Sequence, residues 1–274
     1  MTLHTIDTEL FKLDGGAMFG VVPKAIWNKL NPADDNNLCT WAMRLLLIEE
    51  DNKLILIDTG IGNKQDEKFF GHYHLHGPHT LAKSLAAKGF HTNDITDVFL
   101  THLHFDHVGG AVVRENGKLL PAFKNATYWS NEAHWQWAIE PNAREKASFL
   151  KDNILPIQES GQLQFVEPGF KPFGIRFVNG HTESMMLPQL QYKGRTIVYM
   201  ADLLPSVGHI PIPYVMAYDM FPLTTLEEKQ SFLKEAVEND YVLYFEHDPV
   251  NECCTLQQTE KGIRVKDTFT LSDL

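Results

Sequence analysis

Four residues in the stretch FLTHLHFDHVGG (99–110) carry metal-binding donors within six positions: His102, His104, Asp106 and His107. Imidazole and carboxylate together hold zinc and its neighbours among the divalent ions. His102 and His104 lie two apart where an extended run over 94–101 ends, so their side chains point the same way. Asp106 and His107 follow in a loop or first helical turn. The four cannot comfortably serve one tetrahedral ion. Two histidines suit one ion and the Asp–His pair a second, and each ion then lacks at least one ligand. Gly109 and Gly110 allow close backbone packing behind them.

Donors of the same kind stand in three other places. Apolar strands run directly into His181 (IRFVNGHT), Asp202 (TIVYMAD) and His247 (YVLYFEHD). Open α/β architectures place their sites at the carboxyl ends of strands. With the opening motif, four strand ends can converge. A second histidine-rich stretch, GHYHLHGPHT (71–80), follows no buried strand. Its His72, His74 and His76 sit between Gly71 and the Gly77–Pro78 pair, with no carboxylate nearby to neutralise an ion or orient a ring. It reads as a solvated or pocket-rim loop. His4, His91 and His134 have no partner in the sequence and read as surface residues.

The elements that must position these residues follow from periodicity. HTIDTELFKL alternates as a strand, DGG marks a turn, and AMFGVV continues extended. TWAMRLLLIEE, DN and KLILIDTG form a hairpin whose second strand is buried on both faces. HTLAKSLAAKG (79–89) is an amphipathic helix closed by Gly89. Residues 130–153 have helical spacing with a break at Pro141 and a Ser or Asn cap. Strands return at QLQFVE, FGIRFVNG, MMLPQLQY and RTIVYMAD. TTLEEKQSFLKEAVEND (224–240) is a helix with a Thr cap and Leu226, Phe232, Leu233 and Val237 on one side. YVLYFEHD and a β-rich end close the chain. The two halves share this order of elements without repeating in sequence. An α/β fold of two packed sheets with helices outside suits it, as one domain over residues 1–274 with no linker.

The chain has 274 residues, 43% of them hydrophobic, so a sizeable core is available. Its net charge of −11 repels polyanions, and no Lys/Arg block offsets it, which argues against nucleic acid as a partner. No apolar run approaches the roughly 18 residues of a membrane span. The N-terminus lacks the basic start and apolar run of a secretory signal. The three cysteines, Cys39, Cys253 and Cys254, are an odd count and read as buried thiols of a reducing compartment. The expectation is a soluble cytoplasmic protein.

HLHFDH resembles the His-x-His-x-Asp-His signature of the metallo-β-lactamase superfamily. LIDTG (56–60), GHT (180–182), AD (201–202) and EH (246–247) fall in the order and rough spacing of its other motifs. The resemblance spans residues 40 to 250 approximately. It implies a four-layer αβ/βα sandwich of two mixed sheets with outer helices and a dinuclear site. By that resemblance His102, His104 and His181 bind the first ion, Asp106, His107 and His247 bind the second, and Asp202 bridges. Asp58 matches an aspartate that braces a ligand, although a turn-forming Asp before Thr-Gly would look the same. The details are most similar to N-acyl homoserine lactone lactonases and the methyl parathion hydrolase group. Several lactonases carry a tyrosine three residues after the bridging aspartate that polarises the substrate carbonyl. Pro205 stands there in this chain, and His209, four residues further on, is the candidate replacement donor.

Two divalent ions would share a hydroxide, lower its pKa and polarise the substrate oxygen. Asp106 would pass the proton to the leaving oxygen. Diiron oxidoreductases of the superfamily usually have a glutamate where His104 stands, so hydrolysis is expected over electron transfer. A donor set of imidazole and carboxylate without thiolate suits zinc, two ions per chain. The expected pocket is apolar, drawing on Trp27, Phe69, Phe70, Phe105, Trp135, Trp137 and the segment PYVMAYDMF (213–221) with Met216 and Met220. The expected partner is a small-molecule lactone or ester, without nucleic acid or membrane, and a homodimer is allowed. Lactone opening, with N-acyl homoserine lactones the favoured class, is the leading reading. Phosphotriester or aryl ester hydrolysis is the second, and a metal-binding module without turnover the third.

Overall fold

Strands of three to eight residues carry the sheets of a computed structural model that describes all residues, 1–274. The chain divides into two compact units, Met1–Glu9 with Met43–Pro172, and Leu10–Ala42 with Phe173–Leu274.

The first unit is built on a six-stranded mixed sheet. Thr2–Asp7 pairs antiparallel with Arg44–Glu50, which forms the expected hairpin with Lys53–Ile57. Asp97–Phe99, Thr127–Ser130 and Leu163–Phe165 then add in parallel. Leu45, Leu47, Leu56 and Val98 are fully buried in one core cluster with Trp135 and Ile154 from two helices. The helix Leu81–Ala87 starts on a Thr80 cap, and Gly89 closes it with φ +85°. The helix Glu132–Ile139 starts on Asn131, whose Oδ1 accepts from the His134 amide at 2.9 Å. The expected break at Pro141 is real but longer than spacing suggests, and helix resumes only at Lys151–Glu159. In between, Asn142 Oδ1 accepts from the amides of Arg144 (2.9 Å) and Glu145 (3.1 Å), a side-chain turn that competes with helix.

The second unit has its own six-stranded mixed sheet, ordered Gly174–Val178, Met185–Tyr192, Arg195–Tyr199, Val242–Tyr244, Cys253–Thr259 and Gly262–Phe269. Its single parallel pair joins Arg195–Tyr199 to Val242–Tyr244, with the helix Pro222–Glu238 as the crossover. That helix begins on Pro222 instead of a Thr cap, because proline needs no amide partner in the first turn. The expected strand at AMFGVV is also absent. Asp14 Oδ1 accepts from the Ala17 amide at 2.8 Å and caps a short helix, Gly15–Phe19. Gly15 is required there, since a Cβ would stand 2.4 Å from the Trp27 ring. The three cysteines are buried thiols, and no helix is long and apolar enough to cross a membrane. Mixed sheets with helices outside them are the expected α/β class.

Candidate metal centre

In the first unit the donors sit where Asp97–Phe99 surfaces. Asp58 ends the neighbouring strand in the left-handed region, φ +58°, a conformation that costs a non-glycine residue about 1 kcal/mol or more. Its carboxylate accepts from the Thr101 amide at 2.8 Å, the Thr101 hydroxyl at 2.6 Å and His107 Nδ1 at 3.2 Å. Thr59 secures the same stretch from behind, its amide and hydroxyl each donating to the His107 carbonyl at 2.8 Å. Gly109 admits this loop: a Cβ there would stand 2.1 Å from the Ile61 carbonyl oxygen. The His102 ring centre lies 4.6 Å from that of His104 and 3.9 Å from that of His107. Asp106 Oδ2 is 3.8 Å from His107 Nε2. Behind His104, Nε2 meets Glu145 Oε1 at 3.4 Å.

In the second unit Asp202 follows Ala201, another non-glycine residue in the left-handed region (φ +40°). Its two carboxylate oxygens face two different rings, Oδ2 meeting His181 Nε2 at 3.1 Å and Oδ1 meeting His247 Nε2 at 3.0 Å. Each ring is held at its other nitrogen. His181 Nδ1 donates to Asp219 at 2.8 Å, and His247 Nδ1 donates to the Ala42 carbonyl at 2.8 Å. Gly180 is needed before His181 because Thr225 packs against it, 2.3 Å from where a Cβ would be. Burial works against a charged His181 ring, but Asp202 and Asp219 outweigh it and hold its pKa up at about 10. The second unit therefore concentrates negative field where a cation would sit.

The pocket residues expected from the sequence divide into two groups. Phe105 packs edge-on against Phe69, 5.5 Å between ring centres, and against Tyr73 at 4.6 Å. Tyr73 belongs to GHYHLH, so that stretch contributes an aromatic ring beside the motif, while its histidines stay outside it. Burial, and then the Asp106 charge, push the Tyr73 hydroxyl up to about 12. Trp135, at 0% exposure, is a core residue whose side chain belongs to the cluster around Ile154. Trp27 is likewise buried, stacked on Phe19 at 5.7 Å. Met216 is buried and Met220 half-buried, the latter donating its amide to the His181 carbonyl.

His209, expected as the replacement carbonyl donor, has both ring nitrogens engaged inside the fold. Its Nδ1 pairs with the Ser206 hydroxyl and its Nε2 with the Met18 carbonyl, both at 2.9 Å, while Phe19 stacks on the ring at 4.5 Å. Burial drives its pKa down to about 3, so the ring is neutral and structural. His134 is fully buried, not on the surface, and its Nε2 accepts from the Leu103 amide at 2.9 Å. The sequence gives no sign of the roles of Asp219 and Glu145, or of His134 as an acceptor. They lie far along the chain from what they hold, and only Asp219, inside the aromatic segment 213–221, lies in a stretch with any local signal.

A metal requires neutral imidazoles with a lone pair facing the ion and an oxygen partner fixing the other nitrogen. His104, His107, His181 and His247 have that partner, so the donor chemistry fits divalent ions. These residues, with His102, Asp106 and Asp202, are among the donors that could hold a metal ion, as are Asp58 and Glu246.

The family described as the metallo-beta-lactamase superfamily matches residues 45–247. A probable metallo-hydrolase of Mycobacterium tuberculosis is 32% identical over 111 residues, spanning 34% of this chain and 35% of that protein. The same figures hold for a probable metallo-hydrolase of Mycobacterium bovis. Among solved structures, a probable metal-dependent hydrolase from Staphylococcus aureus is 27% identical over 100% of this chain and 98% of its own, with a TM-score of 0.88. AidC, described as a dizinc quorum-quenching lactonase and solved with its product, is 23% identical over 98% of this chain and 95% of its own, with a TM-score of 0.78.

Proposed function

Because this chain belongs to the metallo-β-lactamase superfamily, we propose that it is a metal-dependent hydrolase that opens lactone rings at a dinuclear site, with N-acyl homoserine lactones the favoured class. In this reading His102, His104 and His181 would hold one ion, Asp106, His107 and His247 would hold the other, and Asp202 would serve both. The observation that carries it is Asp202, whose two oxygens each face the Nε2 of a different, separately braced imidazole. That is the disposition of a carboxylate shared by two ions. Zinc suits the donors.

When bound, the ions supply an activated water and Lewis acidity towards the substrate carbonyl. The chain's own groups do the rest. Asp58, Asp219 and the Ala42 carbonyl hold a proton of His107, His181 and His247 on Nδ1, so Nε2 is the nitrogen each ring offers to an ion, at His181 once its second proton has left. Asp106 takes the proton released as water adds to the carbonyl carbon. It delivers that proton to the ring oxygen as the old C–O bond breaks, leaving the hydroxy acid. Phe69, Tyr73 and Phe105 form an apolar wall beside Asp106 that suits an acyl chain better than a charged group.

The deciding experiment compares turnover of a long-acyl homoserine lactone with that of paraoxon, using one metal preparation. Lactone turnover well above the uncatalysed rate and above paraoxon supports the proposal. Lactone turnover no better than background sinks it, and paraoxon turnover in its place would establish phosphotriester hydrolysis.

A further inference from the structure

We propose that Glu145 is a positioning residue for metal binding: its carboxylate holds the proton of His104 on Nε2 and thereby turns Nδ1 towards the ion. The inference rests on the reading of His104 as a metal ligand. His107, His181 and His247 are each held at Nδ1 and present Nε2. His104 is held the other way round, with Nε2 against Glu145 Oε1 at 3.4 Å. A neutral imidazole has one N–H and one lone pair, so an acceptor fixed at one nitrogen decides which nitrogen can bind metal.

Glu145 is itself fixed. It is 1% exposed, and Oε2 accepts from Trp137 Nε1 and from Asn142 Nδ2, each at 2.6 Å. Its amide donates to Asn142 Oδ1 at 3.1 Å. A buried carboxylate needs such donors to offset its lost hydration. Trp137 lies in the helix Glu132–Ile139, and Pro141 and Asn142 make the turn that brings Glu145 back. The same helix supplies His134, whose Nε2 accepts from the amide of Leu103, the residue between His102 and His104. One helix and the turn after it thus set both the backbone and the ring of that ligand pair. The interruption of helix over 140–150 places a metal brace.

The test uses Glu145→Gln in the full chain. The carboxamide is nearly isosteric, but an NH2 facing His104 Nε2 would demand an acceptor there and move the ring proton to Nδ1. Chelator competition with Zn2+ should show one of two ions retained about 10–100-fold less tightly, with the other changed by less than about threefold. Imidazole 15N shifts of the metal-free protein, assigned with His104→Gln, should show the His104 proton moving from Nε2 to Nδ1. Trp137→Phe keeps the carboxylate but loosens it, and should weaken the same ion by less than about tenfold with the tautomer unchanged. It carries the test if Glu145→Gln does not fold. Unchanged affinity for both ions, or an unchanged His104 tautomer in Glu145→Gln, overturns the proposal. If only Trp137→Phe folds, wild-type affinity in it does the same. A wild-type chain that takes up no metal would instead overturn the assignment of His104 as a ligand, and this inference with it.

Discussion

Two stretches of this chain are dense in histidine, 72–79 and 102–107, and they differ in what stands behind the rings. His72 lies exposed in the last turn of the helix Glu67–Tyr73, and His74 caps that helix in the left-handed region. His76 Nδ1 meets the His74 carbonyl, two residues away, at 2.9 Å. In the second stretch the rings are buried, and His104 and His107 are backed by Glu145 and Asp58, 41 and 49 residues away. Buried imidazoles that face a carboxylate from a distant element are expensive to assemble by accident, whereas exposed ones cost nothing. The partner behind the ring, more than the number of rings, marks a ligand.

The comparison breaks most sharply at Asp202. Asp202→Ala removes the carboxylate facing both His181 and His247. Elemental analysis should fall from about two ions per chain to one or none, with kcat/KM down on the order of 10³-fold or more. Asp219→Asn leaves an acceptor for His181 Nδ1 but removes a charge. It should cost about 10–100-fold in metal affinity, and an NMR titration of the metal-free protein should find the His181 pKa below its wild-type value of about 10.

His209→Phe keeps the stack on Phe19 but strands the Met18 carbonyl and Ser206 hydroxyl. The expected loss is about 2–3 kcal/mol, with kcat/KM within about threefold, because both ring nitrogens are spent on partners within the fold. The pH dependence has a definite sign. The folded ring stays neutral down to about 3, while the unfolded ring takes up a proton near its ordinary 6.5. The stability His209 provides is therefore complete above pH 6.5 and lost as pH falls from there towards 3. Urea midpoints at about pH 7.5 and about pH 4.5 should show the gap between wild type and variant narrowing at the lower pH.

The smallest effect belongs to the rival stretch. Triple replacement of His72, His74 and His76 by alanine should leave metal content unchanged and shift stability by less than about 1 kcal/mol. Loss of an ion from that variant would erase the distinction drawn between the two stretches.

Much of this was legible in residue order. The hairpin 44–57, the short strands that end near His102, His181, Asp202 and His247, and the helix closed by Gly89 all follow from local periodicity and turn chemistry. The readings that failed did so where a side chain overrode the local pattern. Asp14 turned an apparent turn into a helix cap. Lys229, the one charged residue on the buried face of Pro222–Glu238, is a further case of long-range pairing, one on which the sequence is silent. Its Nζ donates to the carbonyls of Pro211 and Tyr214 at 2.9 and 2.8 Å, and burial lowers its pKa to about 7. His209 looked available because nothing in its neighbourhood reveals the Met18 carbonyl, 191 residues earlier. Braces are long-range by nature, and sequence periodicity is short-range.

The route of the chain has a consequence for its synthesis. Residues 10–42 belong to the second unit, yet the rest of that unit begins only at residue 173. On the ribosome the first unit has all its strands once residue 172 has emerged, while the early segment, with Phe19, Trp27 and Trp41, waits for its sheet. At roughly 5–20 residues per second that wait is on the order of ten seconds. The segment includes the Ala42 carbonyl that later aligns His247, so the last proposed ligand to be made is set by one of the first stretches translated. Nascent chains stalled between residues 60 and 170 should expose that aromatic segment, a natural point for a chaperone to hold.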